Sequence, residues 1–348
     1  MKPRKLQKGD MIATISPSWG CVGSNRVRWK YELGKQRLEE LGLHVVEAPY
    51  SMKGTMYLQN HPEKRAEDVM WAFENPEVKG IICNIGGNDS HRILPYLDGE
   101  TIRRNPKIFC GYSDVMNLHL FCYQNGLTTF YGDNLLTTIA EQRQWNSYSQ
   151  EWFQKVLFED EIIGEINTPK EYSYSPDKHI DKAYEKRYVS CPGYQVIQGS
   201  GIVTGTLFGG HGGLMELDGS REIFLRKEWF SEGIFFFEDI PEFCTPQYLE
   251  TFLDWMGQKG YLQDLNGMII GRMRTEKSFE PYAECIREIV GQRYGRADLP
   301  ILYGVPFGHT SPMCILPYGV QAELIIDKKE WFFWGNGGLK ASTTPVFI

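Results

Sequence analysis

Residues 107–123 read KIFCGYSDVMNLHLFCY, and this stretch decides the fold. Ile108, Phe109 and Cys110 have the character of a short buried strand end. Gly111 permits a tight turn that a Cβ would resist. Tyr112, Ser113 and Asp114 come next, and Val115, Leu118 and Cys122 then recur at helical spacing. A strand that bends sharply into a helix exposes the residue at the bend and sets it beside the helix's free N–H groups. A serine there projects its hydroxyl from the sheet edge, with donors for a developing negative charge close by. The same residues also suit a plain N-cap, with Ser113 or Asp114 bonding the first turn. The rest of the chain has to weigh on that choice.

Outward from this stretch the pattern repeats. Residues 10–16 (DMIATIS) are an apolar strand followed by the loop Pro17, Ser18, Trp19, Gly20. Residues 25–41 carry Tyr31, Leu33, Leu38 and Leu41 on one helical face and end at Gly42. His44, Val45 and Val46 make a second strand. Residues 62–73 make a helix with Ala66, Val69, Met70 and Phe73 inward. Residues 80–85 (GIICNI) are a third strand, closed by Gly86, Gly87, Asn88, Asp89 and Ser90, and residues 91–97 a short helix. Regular alternation of strand and helix predicts a parallel sheet covered on both faces. Ligands of such sheets bind beyond the carboxyl ends of the strands, where the Pro17 loop, the Gly86–Gly87 loop and Ser113 all lie.

The pattern changes after about Phe158. Residues 169–187 (PKEYSYSPDKHIDKAYEKR) are polar and without period, a linker or an exposed loop. From Gly199 come short glycine-rich β-like runs, helices over 246–259 and 281–294, and further short strands. The expected domains are 1–165, an α/β unit carrying the serine; 166–198, a linker or specificity loop; and 199–348, an α+β, β-rich unit.

The 348 residues carry a net charge of −7, which argues against a nucleic-acid surface. No apolar run approaches the ~18 residues of a membrane span. The apolar run near the N-terminus, residues 11–15, is too short for a signal peptide. The eight cysteines form no CxxC pair, so they read as reduced core thiols of a cytoplasmic protein rather than a zinc site.

A nucleophilic serine needs a base and a group to orient it. His119 lies inside the helix after Ser113. His44, His61 and His179 have no chemical neighbours in sequence. His91 follows the Gly-Gly loop within reach of a substrate. His211 sits in the flexible FGGHGG loop. His309 closes the apolar run ILYGVPF and follows Gly308, which sets it at a strand end facing a cleft. Glu238 and Asp239 close residues 234–237, and a charge entering a buried strand end needs a partner. A protonatable imidazole is one such partner, and Arg272 or Arg274 is another.

Taken together, these segments resemble the serine LD-carboxypeptidases, peptidase family S66, which includes muramoyl-tetrapeptide carboxypeptidases and microcin C self-immunity proteins. The segments are SPSWG, IGGNDSHRILPYLD, NPKIFCGYSDVMNLH, FGGHGGLMELDGS, FFFEDIPE and VPFGH, in the family's order over nearly the whole chain. The resemblance implies a Rossmann-like, class I amidotransferase-like N-terminal domain and an active site in the cleft before the C-terminal domain. It implies a triad of Ser113 as nucleophile, His309 as base and Glu238 as orienting group. The oxyanion donors would be the backbone N–H groups of Gly87 and Asp114. A homodimer with no metal and no other cofactor is also implied.

Two positions depart from the family pattern: His211 where asparagine is common, and Asp133 where proline is common. Trp19, Gly86, Asn88 and His211 are the candidate substrate contacts. Residues 169–187 are long, as in microcin-immunity-like members, but lack tryptophan; Tyr172, Tyr174 and Tyr184 are its aromatic residues for stacking on a base. The function expected is a cytoplasmic serine hydrolase that cuts an amide next to a free carboxylate, releasing D-alanine from murein tetrapeptide. The alternative is hydrolysis of an aminoacyl-nucleotide or peptidyl-adenylate amide. A remoter one is a small-ligand binding module built on the Gly-rich loops; neither GxGxxG nor GxxxxGK[ST] is present.

Overall fold

The computed structural model describes residues 1–173, 184–223, 225–240, 243–273 and 279–335. In chain order the first strands are β1 (Met11–Ile15), β2 (His44–Glu47), β3 (Val78–Cys83), β4 (Ile108–Gly111) and β5 (Phe130–Tyr131). Short pieces follow: β6 (Gly164–Glu165), β7 (Glu171–Tyr172), β8 (Val189–Ser190) and β9 (Gln195–Gln198). Then come β10 (Ile202–Gly210), β11 (Gly233–Phe237), β12 (Gly267–Gly271) and β13 (Ile301–Val305), and last β14 (Leu316–Pro317), β15 (Gln321–Ile325) and β16 (Glu330–Phe333).

The first sheet has the order β14-β5-β4-β3-β1-β2. Strands β1 to β5 run parallel, and β14 is the one antiparallel member. Helices clothe it as the periodicity predicts. Asn25–Glu40 buries Val27, Tyr31, Gly34 and Leu38, and the Ser24 side chain caps its first turn. Phe109 at the sheet's centre has no exposed surface, and burying a side chain of that size contributes about 1.5–3 kcal/mol.

The second sheet has the order β6-β16-β15-β10-β11-β12-β13-β9. Its centre, β10 to β13, is parallel, and its flanks are antiparallel. The runs GIFFF, GMIIG and ILYGV are buried along their whole length, as parallel strands covered on both faces must be. The molecule is thus mixed α/β with two domains, each built on parallel strands. The carboxyl ends of the two sheets face each other. Met116, just after β4, meets the chain leaving β10: the His211 N–H points at the Met116 sulfur, 3.3 Å away. Both sheets therefore deliver their strand-end loops to one cleft.

Candidate active site

Gly111 is needed for space rather than for its φ, since a Cβ there would lie 2.8 Å from the Cβ of Cys83. The residue that takes the left-handed conformation is Ser113 itself, at φ 69°. A non-glycine residue held there carries about 1–3 kcal/mol of strain, so its surroundings must enforce it. They do so on three sides. The Ser113 N–H donates to the Tyr131 hydroxyl at 3.1 Å. Asn134 brackets Tyr112, accepting from its N–H and donating to its carbonyl. Gly86 packs so closely that a Cβ would sit 2.8 Å from that of Ser113.

The N-cap alternative is not what the structure contains. No side chain caps the turn Ser113–Val115 or the helix Met116–Gln124 that continues it. The Asp114 carboxylate turns instead to the neighbouring loops, accepting from the Ser18 hydroxyl at 2.5 Å and the Ser90 N–H at 2.8 Å. The Ser90 hydroxyl donates to the Asp114 carbonyl. Three strand-end loops of the first sheet are stapled together in this way.

The second sheet supplies two more groups. His309 follows β13, and its Nε2 lies 3.0 Å from Ser113 Oγ. Its Nδ1 lies 2.7 Å from Glu238 Oε2, which also accepts the His309 backbone N–H at 3.1 Å. Glu238, just past β11, is 2% exposed. Its other oxygen, Oε1, accepts from the Tyr131 hydroxyl at 2.5 Å. Burial alone would raise the Glu238 carboxyl. The facing His309 imidazole, with smaller help from His211 and the Tyr131 hydroxyl, holds it below the ordinary carboxylate range. Gly308 has φ 81°, and a Cβ there would strike Glu238 Oε2 at 2.2 Å, so the residue before His309 has to be glycine. Arg272 is engaged elsewhere, donating to the carbonyls of Gly193 and Gly304 and stacking over Tyr172. Arg274 lies outside the described residues.

The remaining candidates lie around this centre. Gly87 is next to Gly86, whose carbonyl accepts from the Trp19 N–H. Exposed Trp19 and Asn88 line a shallow recess of about 210 Å³ with Thr55 and Gln59. His211 and His91 line a cleft of about 280 Å³ with Asp114, Asn117 and Glu216. His211 Nδ1 accepts the Gly213 N–H. His119 is fully buried between Thr129 Oγ1 and the Gly111 carbonyl, and burial pushes its pKa down to about 3. Asp133 is also buried, and burial pushes its carboxyl up to about 8. Among the described residues, no three His, Cys, Asp or Glu side chains are grouped so as to hold a metal ion.

Of residues 169–187, the ends are described. β7 pairs with β8, the Ser173 and Ser311 backbones bond to each other, and Lys186 Nζ donates to Ser311 Oγ at 2.6 Å. Both ends of the segment thus reach the loop that carries His309. Tyr174, Lys178, His179 and Lys182 lie outside the described residues.

Two family models match the chain, the LD-carboxypeptidase N-terminal domain over residues 12–132 and the LD-carboxypeptidase C-terminal domain over 204–324. The chain belongs to the LD-carboxypeptidase family. It is 28% identical to the probable murein peptide carboxypeptidase of Bacillus subtilis, over 93% of this chain and 91% of that one. It is also 28% identical to the microcin C7 self-immunity protein MccF of Escherichia coli, over 93% of each. Among solved structures, an MccF-like protein from Streptococcus pneumoniae in complex with AMP superposes with a TM-score of 0.86 at 28% identity, covering 94% of this chain and 99% of that one. In this LD-carboxypeptidase family member, sequence reasoning passed over Tyr131, Ser18 and the Arg65–Asp89 pair. The available signal for Tyr131 was a tyrosine at a strand's carboxyl end, one strand along from the serine.

Proposed function

We propose that this family member is a serine hydrolase in which Ser113 attacks, His309 is the general base and Glu238 orients and charges the imidazole. One observation carries the reading: the imidazole spans Ser113 Oγ at 3.0 Å and Glu238 Oε2 at 2.7 Å through opposite nitrogens. With Nδ1–H donated to the carboxylate, Nε2 is left free to take the serine proton. Ser113 Oγ then bonds to the amide carbon, and its proton passes to Nε2. The oxyanion is received by the backbone N–H groups of Gly87 and Asp114. In a trans peptide the Gly87 N–H points opposite to the Gly86 carbonyl, hence away from Trp19. Collapse of the intermediate expels the amine, which takes the proton from Nε2, and water repeats the sequence on the acyl-enzyme. No step calls on a metal or another cofactor.

The substrate we favour is the murein tetrapeptide, cut before its terminal D-alanine. A second reading has its own support, since MccF-related structures hold AMP or aspartyl sulfamoyl adenosine. That reading makes the enzyme a hydrolase of aminoacyl-nucleotide amides, with Trp19, Asn88, His211 and residues 169–187 selecting the ligand. We further propose that it acts as a homodimer in the reducing cytoplasm. All eight cysteines are free thiols, and among the described residues no helix is long and apolar enough to cross a membrane. A side-by-side assay of a murein tetrapeptide and an aminoacyl-sulfamoyl adenosine tests the choice. Turnover of neither, with no labelling of Ser113 by a fluorophosphonate, would sink the proposal.

A further inference from the structure

The hydroxyl of Tyr131 has two neighbours, and its proton can go to one of them. A backbone N–H can only donate, so the Ser113 N–H, 3.1 Å away, makes the phenol oxygen an acceptor. The phenol's own proton therefore goes to Glu238 Oε1, at 2.5 Å. This assignment follows from the chemistry of the groups and needs no observed hydrogen. It closes a ring of hydrogen bonds: the Ser113 N–H donates to Tyr131, Tyr131 and His309 Nδ1 both donate to Glu238, and the Ser113 hydroxyl faces His309 Nε2 as its acceptor.

The ring crosses between the sheets twice. Ser113 and Tyr131 stand at the ends of adjacent strands β4 and β5, with Gly111 in register with Tyr131. Glu238 and His309 come from the second sheet. Tyr131 is fully buried, and its ring packs against Tyr112, His119, Phe236 and Tyr318. The aromatic body is thus fixed by packing, and the hydroxyl has little freedom to leave its two partners. Burial, with the Glu238 carboxylate beside it, keeps the phenol protonated far above its ordinary range.

We propose that Tyr131 is a positioning residue of the hydrolysis. One oxygen holds Glu238 in the rotamer that faces His309 and anchors the backbone of Ser113 in its left-handed bend, so nucleophile and base are registered across the cleft. Glu238 then has both oxygens engaged and cannot turn away from the imidazole. The Ser113 N–H is occupied, which leaves the oxyanion to donors on Gly87 and Asp114. The phenol also draws off part of the Glu238 charge, which limits how strongly Glu238 raises the basicity of His309. The inference rests on the triad reading above.

The test uses the full-length enzyme, the substrate that the wild type turns over, and fluorophosphonate labelling of Ser113. Tyr131→Phe keeps the ring and removes the hydroxyl. The expected result is a kcat lower by roughly 10- to 100-fold, with KM within about threefold. The acid limb of kcat/KM should move up by roughly half a pH unit, because Glu238 then pulls harder on the His309 proton. Incorporating 3-fluorotyrosine at position 131 keeps every contact and makes the phenol a better donor. It should retain most of the activity and move the acid limb downward. A residue that only fills space would move neither limb. Wild-type kcat and an unmoved pH profile in Tyr131→Phe overturn the inference. Should that variant fail to fold, an unmoved limb in the fluorotyrosine enzyme overturns it equally. No labelling of Ser113 in the wild type would instead overturn the triad reading, and this inference with it.

Discussion

Arg65 and Asp89 meet at 2.7 Å under the mouth of the cleft, and the arginine side chain has no exposed surface. The guanidinium also donates to the carbonyls of Pro17 and Ser18, so it ties the loop after β1 to the loop after β3. Removing it takes the donor from the Pro17 and Ser18 carbonyls and leaves the partly buried Asp89 carboxylate with the longer contacts to Arg92 at 3.3 Å and the Ser18 hydroxyl at 3.4 Å. Arg65→Met should lower stability by about 3 kcal/mol. Activity should fall as well, because the loop whose Ser18 hydroxyl donates to Asp114 loses its support. Urea unfolding beside initial rates checks both; a variant as stable as the wild type would contradict this account.

Ser113→Ala should abolish turnover and leave the fold intact. Ser113→Gly should be equally inactive but more stable than the alanine variant by about 1 kcal/mol, since glycine adopts φ 69° without penalty. Comparing the two midpoints isolates the strain stored at the bend. His309→Ala should be damaged more than Glu238→Gln, because proton transfer is worth more than orientation. Equal stability of the alanine and glycine variants would mean that the bend is not strained.

The buried carboxyl of Asp133 predicts a stability that falls as pH rises. Its pKa is about 8 in the folded chain against an ordinary 3.8, so between those values the unfolded chain has given up a proton that the native state retains. Stability contributed by the neutral form is then lost at up to about 1.4 kcal/mol per pH unit. Asp133→Asn should gain on the wild type as pH rises from about 5 to 8 in urea titrations. His119 works in the opposite sense. Its folded pKa of about 3 lies below 6.5, so the unfolded chain takes up a proton first and stability falls on acidification. Parallel curves for wild type and Asp133→Asn would remove Asp133 from the account.

Turnover should rise with pH as His309 loses its proton, since the neutral imidazole is the form that accepts from serine. The Glu238 carboxylate, held below the ordinary range, stays charged through that rise. EDTA should leave the rate unchanged. Loss of activity in EDTA with recovery on adding zinc would point to a metallohydrolase.

Residues 169–187 begin and end beside the loop that carries His309, joined to it through Ser173 and Lys186. A segment so placed is expected to select substrate. Replacing residues 174–183 with a short Gly-Ser linker should cost far more activity on one substrate class than on a generic activated ester. Equal rates on every substrate after the exchange would reduce the segment to a linker.

The strands of the first sheet were legible because apolar runs alternate with helical periods at a steady interval. His309 was legible because it ends such a run behind a glycine. Arg65 was not. The face read on its helix was Ala66, Val69, Met70 and Phe73, which leaves Arg65 and Asp68 as solvated charges, yet both are buried. What holds Arg65 inside is the pair of carbonyls of Pro17 and Ser18 after β1 and the Asp89 carboxylate after β3, and periodicity along one helix cannot report those. Tyr131 escaped for a related reason. A tyrosine in a buried strand reads as core until β4 and β5 are known to be neighbours and β11 is known to face them. The parallel centre of the second sheet was obscured by its short, glycine-rich runs, which read equally well as antiparallel hairpins.

The division of the site between two facing sheets has a consequence for the chain while it is being made. The proposed nucleophile leaves the ribosome 196 residues ahead of its base. At about 5–20 residues per second, roughly 10 to 40 seconds separate the two. Throughout that interval strands β1 to β5 can fold around Ser113, yet its hydroxyl has no imidazole to take its proton. On the proposed mechanism the growing polypeptide is therefore harmless to the amides around it, and hydrolytic power arrives only with the docking of its second half.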